Sequence, residues 1–196
     1  MTIKAALHVH TTHSDGTLGL EEVLELYARL GFGFVAITDH DFLGASASRR
    51  QARAIRRPDL IVCPGIELTV FIKGYVHISR LEGPGEVLHV FNHPAQLNLP
   101  LPKVLERIAA AAVLYPLDAV ELTSNGFPTP EFDVPELAYP KIATDDAHDA
   151  AGCGRAWIEV EAEPDVDSVL RAVKAGAFRN RYWTSGQPRG GLWTSS

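Results

Sequence analysis

His8 and His10 stand two residues apart in the apolar run Leu7-His8-Val9-His10, and a carboxylate, Asp15, follows in the turn Ser14-Asp15-Gly16. Side chains alternate along a strand with a period of two, so both imidazoles face the same way. Two nitrogens with an acid nearby are the beginning of a metal site. Residues of the same kind recur at or near the ends of later apolar runs: His40 after 34–38, Glu67 after 60–66, His77 within 75–79, His93 after 86–92, and Asp146 with His148 after 141–144. Six of the eight histidines fall in this set, so the pattern is not a scatter of surface residues. Asp146 and His148 repeat the two-residue spacing of His8 and His10, which points both into one space. Imidazole and carboxylate together suit zinc, manganese or iron, and no thiolate joins them. A catalytic zinc takes three or four protein ligands. His8, His10, Asp15, His40, Glu67, His77, His93, Asp146 and His148 are too many for one ion, and two or three divalent ions sharing a bridging carboxylate fit the number better.

The elements that must position these residues alternate in type. Residues 3–10 read as a buried strand, with Thr17 as the expected cap of a helix whose apolar positions are Leu20, Val23, Leu24, Tyr27 and Leu30, and Gly31 as its stop. A strand over 34–38 runs into Asp39-His40-Asp41. A helix over 45–57 carries Arg49, Arg50, Arg53, Arg56 and Arg57, and the apolar run 60–66 runs into Glu67. Further strands are expected at 75–79, 86–92, 119–123, 141–144 and 157–160. Helices are expected at 101–114, with Leu101, Leu105, Ile108 and Ala112 on one stripe, and from Asp165 onward. Strands alternating with helices imply a parallel sheet, and polar residues at strand ends mark the working face of a β/α barrel. A full eightfold barrel takes about 250 residues. This chain has 196, so an irregular barrel of seven or fewer strands is expected.

Composition sets the outer limits. Hydrophobic residues make up 46% and charged residues 21%, ordinary values for one globular domain. The net charge of −6 argues against a duplex-DNA binder. The two cysteines, Cys63 and Cys153, form no CxxC pair and suggest a reducing compartment. With no apolar run of membrane-spanning length and no signal-like N-terminus, a cytoplasmic location is expected.

His8-Val9-His10, Asp15, Thr38-Asp39-His40, Gly65-Ile66-Glu67, His93-Pro94 and Asp146-Ala147-His148 together resemble the motifs of the polymerase and histidinol phosphatase (PHP) superfamily of metal-dependent phosphoesterases. The resemblance runs from residue 7 to about 160. It implies an α/β fold, a distorted (β/α)7 barrel, with a phosphoesterase domain over 1–182 and a loosely ordered tail over 183–196. It also implies a trinuclear centre in which His8, His10, Glu67 and Asp146 hold one ion. Glu67 would bridge to a second ion completed by His77 and His93, and Asp15, His40 and His148 would hold the third. His89 is the competitor of His77. The stretch from Glu121 to Gly126 is similar to another strand of the family. The inserted domain of larger relatives has no room between Glu67 and His93.

The activity so implied is hydrolysis of a phosphate ester by a hydroxide shared between ions, on a small phosphorylated metabolite, a nucleotide or a short oligonucleotide, with no membrane partner. A non-catalytic metal-binding regulatory domain and a hydrolase of a non-phosphate bond are the alternatives. His13 is either an exposed side chain or a substrate-facing acid, and Arg155 contacts phosphate or pairs with an acid. The arginines of 49–57 form a solvated face or steer anions. Asp39 and Asp41 orient ligands or cap a helix rather than bind metal. Trp157 packs rather than stacks on substrate.

Overall fold

The structure is a computed structural model that describes residues 1–41 and 45–184. Strand β1 (Thr2–Val9) leads through helix α1 (Leu20–Arg29) to β2 (Phe34–Ile37), and helix α2 (Ala45–Ala54) leads to β3 (Ile61–Phe71). Two antiparallel strands follow, β4 (Tyr75–Glu82) and β5 (Val87–Phe91), then helix α3 (Leu101–Leu114) and β6 (Ala119–Glu121). The small hairpin β7 (Thr123–Ser124) and β8 (Phe127–Pro128) precedes β9 (Lys141–Ile142), β10 (Ala156–Glu161), helix α4 (Val166–Lys174) and β11 (Phe178–Tyr182).

Among the described residues all strands but the small hairpin join one sheet in the order β11-β10-β1-β2-β3-β4-β5-β6-β9. The α/β barrel class holds, with more strands than expected: nine, of which β1-β2-β3 and β5-β6-β9 run parallel while β4, β10 and β11 run antiparallel to their neighbours. The hairpin β3–β4–β5 takes the place of a helical crossover. The two outer strands are joined by a side chain, since Asn180 on β11 donates to the Lys141 carbonyl at 2.9 Å and accepts from the Ala143 amide at 2.8 Å beside β9.

Apolar residues divide between the barrel interior and its outer face. Ile3, Ala5 and Leu7, with Phe34, Ala36, Cys63, Leu81 and Leu88, fill the interior and meet Val169, Leu170 and Val173 of α4. Ala6, Val9, Val35 and Ile37 pack outward on Leu20, Val23, Leu24 and Tyr27 of α1. Between Ala6 and Val9 the pairing with β2 slips by one residue. Such a bulge reverses which alternate positions face inward. Leu7 is inside before it, Val9 is outside after it, and His8 and His10 therefore turn inward at the carboxyl end of the strand.

Several local expectations shift. Helix α1 is capped at Gly19, whose amide donates to the Glu22 carboxylate at 2.7 Å, while the Thr17 hydroxyl donates to the His148 carbonyl. Helix α2 ends at Ala54 rather than 57, because Arg57-Pro58 cannot continue it. On α3 the fully buried stripe is Val104, Ile108 and Ala111, rotated from the expected one although Ile108 is shared. The run 178–182, where no strand was expected, is a full strand paired with β10. Residues 185–196 of the expected tail lie outside the described residues. Arg49 and Arg53 meet Glu82, and Arg57 meets Asp59 and Glu25, so these arginines are engaged in ion pairs. Trp157 packs beside Phe32 and under the Lys4 ammonium, and both cysteines are buried free thiols. Among the described residues no helix is long and apolar enough to cross a membrane.

Candidate metal centre

The carboxyl ends of β1, β2, β5 and β9, with the middle of β3 and the start of β4, bring all nine expected residues to one mouth of the barrel. They fall into four overlapping groups: His10, Asp15, His40 and His148; His8, His10 and Asp146; His8, Glu67 and His93; and His40, Glu67 and His77. His8, His10, Glu67, Asp146, His40 and His93 are buried, whereas Asp15 lies at the open side.

Glu67 is the hub. Its Oε1 lies 3.2 Å from both His77 Nδ1 and His93 Nε2. Its Oε2 lies 3.3 Å from His8 Nε2 and 3.2 Å from both His10 Nε2 and His40 Nδ1. Asp146 Oδ1 faces the same two nitrogens, 3.3 Å from His8 and 3.4 Å from His10. At the open side Asp15 lies 3.3 Å from His148 Nε2, 3.5 Å from His40 Nε2 and 3.5 Å from His10 Nδ1. His89, the competitor of His77, lies on the other face of β5 near Tyr115 and joins no group.

The Nε2 atoms of His8 and His10 are 3.0 Å apart. Two lone pairs or two N–H groups at that distance repel each other, and a shared cation relieves the contact. Donors sharing one ion through bonds of about 2.0–2.2 Å stand roughly 3–3.6 Å apart. The spacings around Glu67 lie in that interval, so the donor set fits divalent ions. Without ions the cluster holds protons: burial lowers the His8 imidazole, but Glu67, Asp146 and Glu121 outweigh it and raise its pKa well above the usual range. His10 is pushed up to about 9, against the same burial penalty, by Asp146 and Glu67. Glu67 moves the other way, burial being overcome by His8, His10 and His77.

Local structure fixes the rings. His8 Nδ1 faces Glu121 Oε1 at 3.4 Å, and His148 Nδ1 lies 3.0 Å from the Asp146 carbonyl. Each contact turns the other nitrogen toward the cluster. The first turn is clamped by Asp39, which accepts from the Thr11 amide at 2.7 Å, the Ser14 hydroxyl at 2.8 Å and the hydroxyls of Thr11 and Ser48. Asp39 therefore orients the site and joins no metal-type group, as the sequence suggests. Gly16 is obligatory in that turn, since a Cβ there would sit 2.8 Å from the His10 carbonyl and the Thr11 amide. His93 and Asp146 have φ of 27° and 47°, a sparsely allowed region for residues with side chains. Asp146 and His148 thus converge through a bend after β9, not through strand alternation, and they face different groups.

Sequence reasoning passed over four polar residues. Glu121 is fully buried, faces His8, accepts the His93 amide at 2.6 Å and accepts the Thr144 hydroxyl. Asn92 donates to Glu67 Oε1 at 2.7 Å and to Ser79 at 2.9 Å. Asp145, beside Asp146, turns into the core, accepts from Tyr27 at 2.7 Å and Gly154 at 2.6 Å, and is pushed up to about 7 by burial. Thr144 links Glu121 to β7 through its hydrogen bonds with Thr123. A carboxylate closing a short apolar run, as Glu121 does, was the available signal. Of the expected catalytic residues, Glu67 is the hub, while His13 and Arg155 lie outside the metal-type groups. His13 Nε2 faces Gln51 Oε1 of α2 at 3.2 Å. The Arg155 guanidinium lies 5.1 Å from the Phe127 ring and donates to the Asn125 carbonyl.

An α/β barrel that gathers imidazoles and carboxylates at the carboxyl ends of its strands defines the class. The family described as PHP domain matches residues 6–148, and a family described as PHP-associated matches 135–178. The chain belongs to the PHP domain family. It is 38% identical over 76 residues to the 5'-3' exoribonuclease Rnm of Escherichia coli and 37% identical over 76 residues to that of Salmonella typhimurium. These matches cover 38% of this chain and 26% of either relative, so the chain spans about a quarter of the curated proteins it matches. In fold it is similar to a two-domain protein of Bacteroides vulgatus containing a predicted PHP-like metal-dependent phosphoesterase, with a TM-score of 0.63 and 15% identity over 93% of this chain and 65% of that one. It is also similar to an amidohydrolase of Chromobacterium violaceum, with a TM-score of 0.60 and 13% identity over 91% of this chain and 97% of that one.

Proposed function

We propose that this chain is a hydrolase of phosphate esters, acting on a phosphomonoester or a short nucleotide phosphodiester with two or three divalent ions at the barrel mouth. The observation that carries the reading is the division of Glu67, with one oxygen toward His77 and His93 and the other toward His8, His10 and His40. A carboxylate placed in this way would serve two ions together. His8, His10, Glu67 and Asp146 would hold the first, Glu67, His77 and His93 the second, and Asp15, His40 and His148 the third. When bound, zinc, manganese or iron supplies Lewis acidity toward phosphoryl oxygens and brings the ionisation of water toward neutral pH. The chain's own work is to keep the donors aimed, through Glu121, Asn92 and Asp39, and to close the inner side of the site while leaving the Asp15 side open. His13, two residues from Asp15, is the side chain assigned to hand a proton to the leaving oxygen in exchange for its Gln51 contact. Arg155 is assigned to the outer phosphate oxygens. The exoribonuclease name of the curated relatives supports a nucleotide or short RNA among the substrates.

The test is Glu67→Gln, which keeps volume and removes the shared charge. Ion content by mass spectrometry is expected to fall, and turnover of a panel of nucleoside monophosphates, dinucleotides, histidinol phosphate and p-nitrophenyl phosphate is expected to fall about 100-fold or more. Undiminished ion content and turnover overturn the shared-carboxylate reading. A wild-type protein loaded with ions that cleaves amides but no phosphoester shifts the reading to a non-phosphate bond. One that cleaves neither is a metal-binding domain without turnover.

A further inference from the structure

The hairpin that supplies Glu67 and His77 continues beyond them. In its register Glu67 pairs with Ser79, Thr69 with His77, and Phe71 with Tyr75. Directly opposed residues of an antiparallel pair share a face, so Phe71 and Tyr75 lie on the face that carries Glu67 and His77. The other face, with Ile72, Val76 and Ile78, packs on Val104 and Ile108 of α3. The barrel wall therefore rises past the candidate metal centre and ends in two aromatic rings turned toward the mouth. The rings stand 5.4 Å apart at 79°, edge to face, and each residue is 70% exposed. Tyr75 is two residues from His77, about 7 Å along the strand. Between the rings and Glu67 sits Thr69, whose buried hydroxyl has no hydrogen-bond partner among the described residues. The two rings cover each other only edge to face, which leaves each 70% exposed, and a flat ring is what their open surface would cover best.

We infer that Phe71 and Tyr75 form a stacking platform for the nucleobase of a substrate whose phosphate lies at the Glu67 centre. The inference rests on the phosphoester reading above and names the part of the substrate that this rim selects. One ribose joins base to phosphate, and one two-residue step of strand joins Tyr75 to His77, so a single nucleotide reaches from rim to centre. Stacking uses the face that every base shares, so the platform takes any base, and the Tyr75 hydroxyl is the one polar group the two rings offer.

The experiment measures equilibrium binding to the ion-loaded protein by calorimetry, with ligands that resist hydrolysis. One arm uses the phosphonate analogues of adenosine 5'-monophosphate and of ribose 5-phosphate. The other uses a phosphorothioate hexaribonucleotide and its abasic counterpart. The Phe71→Ala/Tyr75→Ala variant, altered only at an exposed turn, is expected to bind the base-bearing ligands about tenfold more weakly. It is expected to bind the base-free ligands within about twofold of wild type, and Phe71→Tyr/Tyr75→Phe is expected to restore affinity. Loss confined to the hexanucleotide assigns the platform to a strand, and loss in both arms assigns it to any nucleotide. Equal weakening of base-free ligands overturns the inference, as does unchanged binding of base-bearing ones. So does a wild-type dimer, seen by sedimentation, that the variant abolishes, because the rings would then cover a second copy. Turnover is read separately: base-dependent binding at the rim with no hydrolysis of any phosphoester sinks the proposed activity and leaves the platform standing.

Discussion

The imidazoles of His8 and His10 sit where acids favour the protonated form and ions need the deprotonated one. His10 titrates near 9 in the folded, ion-free chain and near 6.5 when unfolded. A raised imidazole pKa stabilises the fold fully below the unfolded value and ceases to do so as pH rises through the folded one. The ion-free protein is thus expected to lose thermal stability between pH 6.5 and 9, whereas ion uptake strengthens over the same interval and releases protons at pH 7. Calorimetric titration with zinc or manganese in buffers of different ionisation heat measures that release. Uptake with no proton displaced contradicts this account of the cluster. Glu121 gives a second prediction. Glu121→Ala removes the partner of His8 Nδ1 and strands the His93 amide, so ion affinity is expected to drop about 10–100-fold with all nine donors intact. Competition with a chromophoric chelator reads the change. The clustered residues were legible in the sequence because imidazoles and carboxylates recur at or near the ends of apolar runs, and because their order along the chain resembled a known family. Glu121 closes a short apolar run in a stretch similar to a strand of the family, but its role is fixed only by what surrounds it in space, His8, the His93 amide and Thr144.

Elements place these residues by breaking the regular pattern. Residues 3–10 read as a buried strand, yet the slip between Ala6 and Val9 is what turns His8 and His10 inward, and nothing in the sequence marks a bulge. The positions of the strands and the span of α3 were readable from apolar runs and periodicity, whereas β3 runs on past Glu67 to Phe71 and β4 past 79 to Glu82 because the two pair along a hairpin. β11 was not readable, since Phe178-Arg-Asn-Arg-Tyr182 holds three polar residues and is a strand only by pairing with β10 at the sheet edge. The turn after β1 is held by Asp39 from the end of β2, so the site depends on the docking of two elements. Asp39→Asn exchanges an acceptor oxygen for an amide group that faces the Thr11 amide and the Ser14 hydroxyl. Hydrogen bonds to a charged acceptor contribute about 1.5–3 kcal/mol each. The variant is expected to lose that order of stability and, with the turn loosened, the ion assigned to Asp15, His40 and His148, while the ions at Glu67 remain. Ion stoichiometry by mass spectrometry decides it, and a full complement in the variant shows that the turn is held by other means.

At the scale of the whole molecule, the edge of β9 is tied to β11 by a side chain, while the loop after β9 is tied to β1 by the His10 amide on the Ala147 carbonyl at 3.0 Å. β9 is two residues long, and the loop after it delivers Asp146 and His148, so the position of half the open side depends on how β9 is anchored. β6 holds it on one side through a backbone ladder. On the other, Asn180 of β11 offers its amide as a substitute peptide, satisfying the Lys141 carbonyl and the Ala143 amide. An asparagine in a polar run carries no sequence signal for this, because the need arises only when the two edges of the sheet, β11 and β9, meet in space. Asn180→Leu keeps the bulk and removes both bonds. Partial exposure of the pair lets water replace some of what is lost, so a cost of about 1–2 kcal/mol and a fall in Tm of about 2–8 °C are expected. The seam should open before the rest of the barrel, which makes amide exchange at Ala143 the sensitive measurement. Faster exchange there, with weaker retention of the ion near His148, is the expected result. Unchanged protection of the Ala143 amide refutes closure through Asn180.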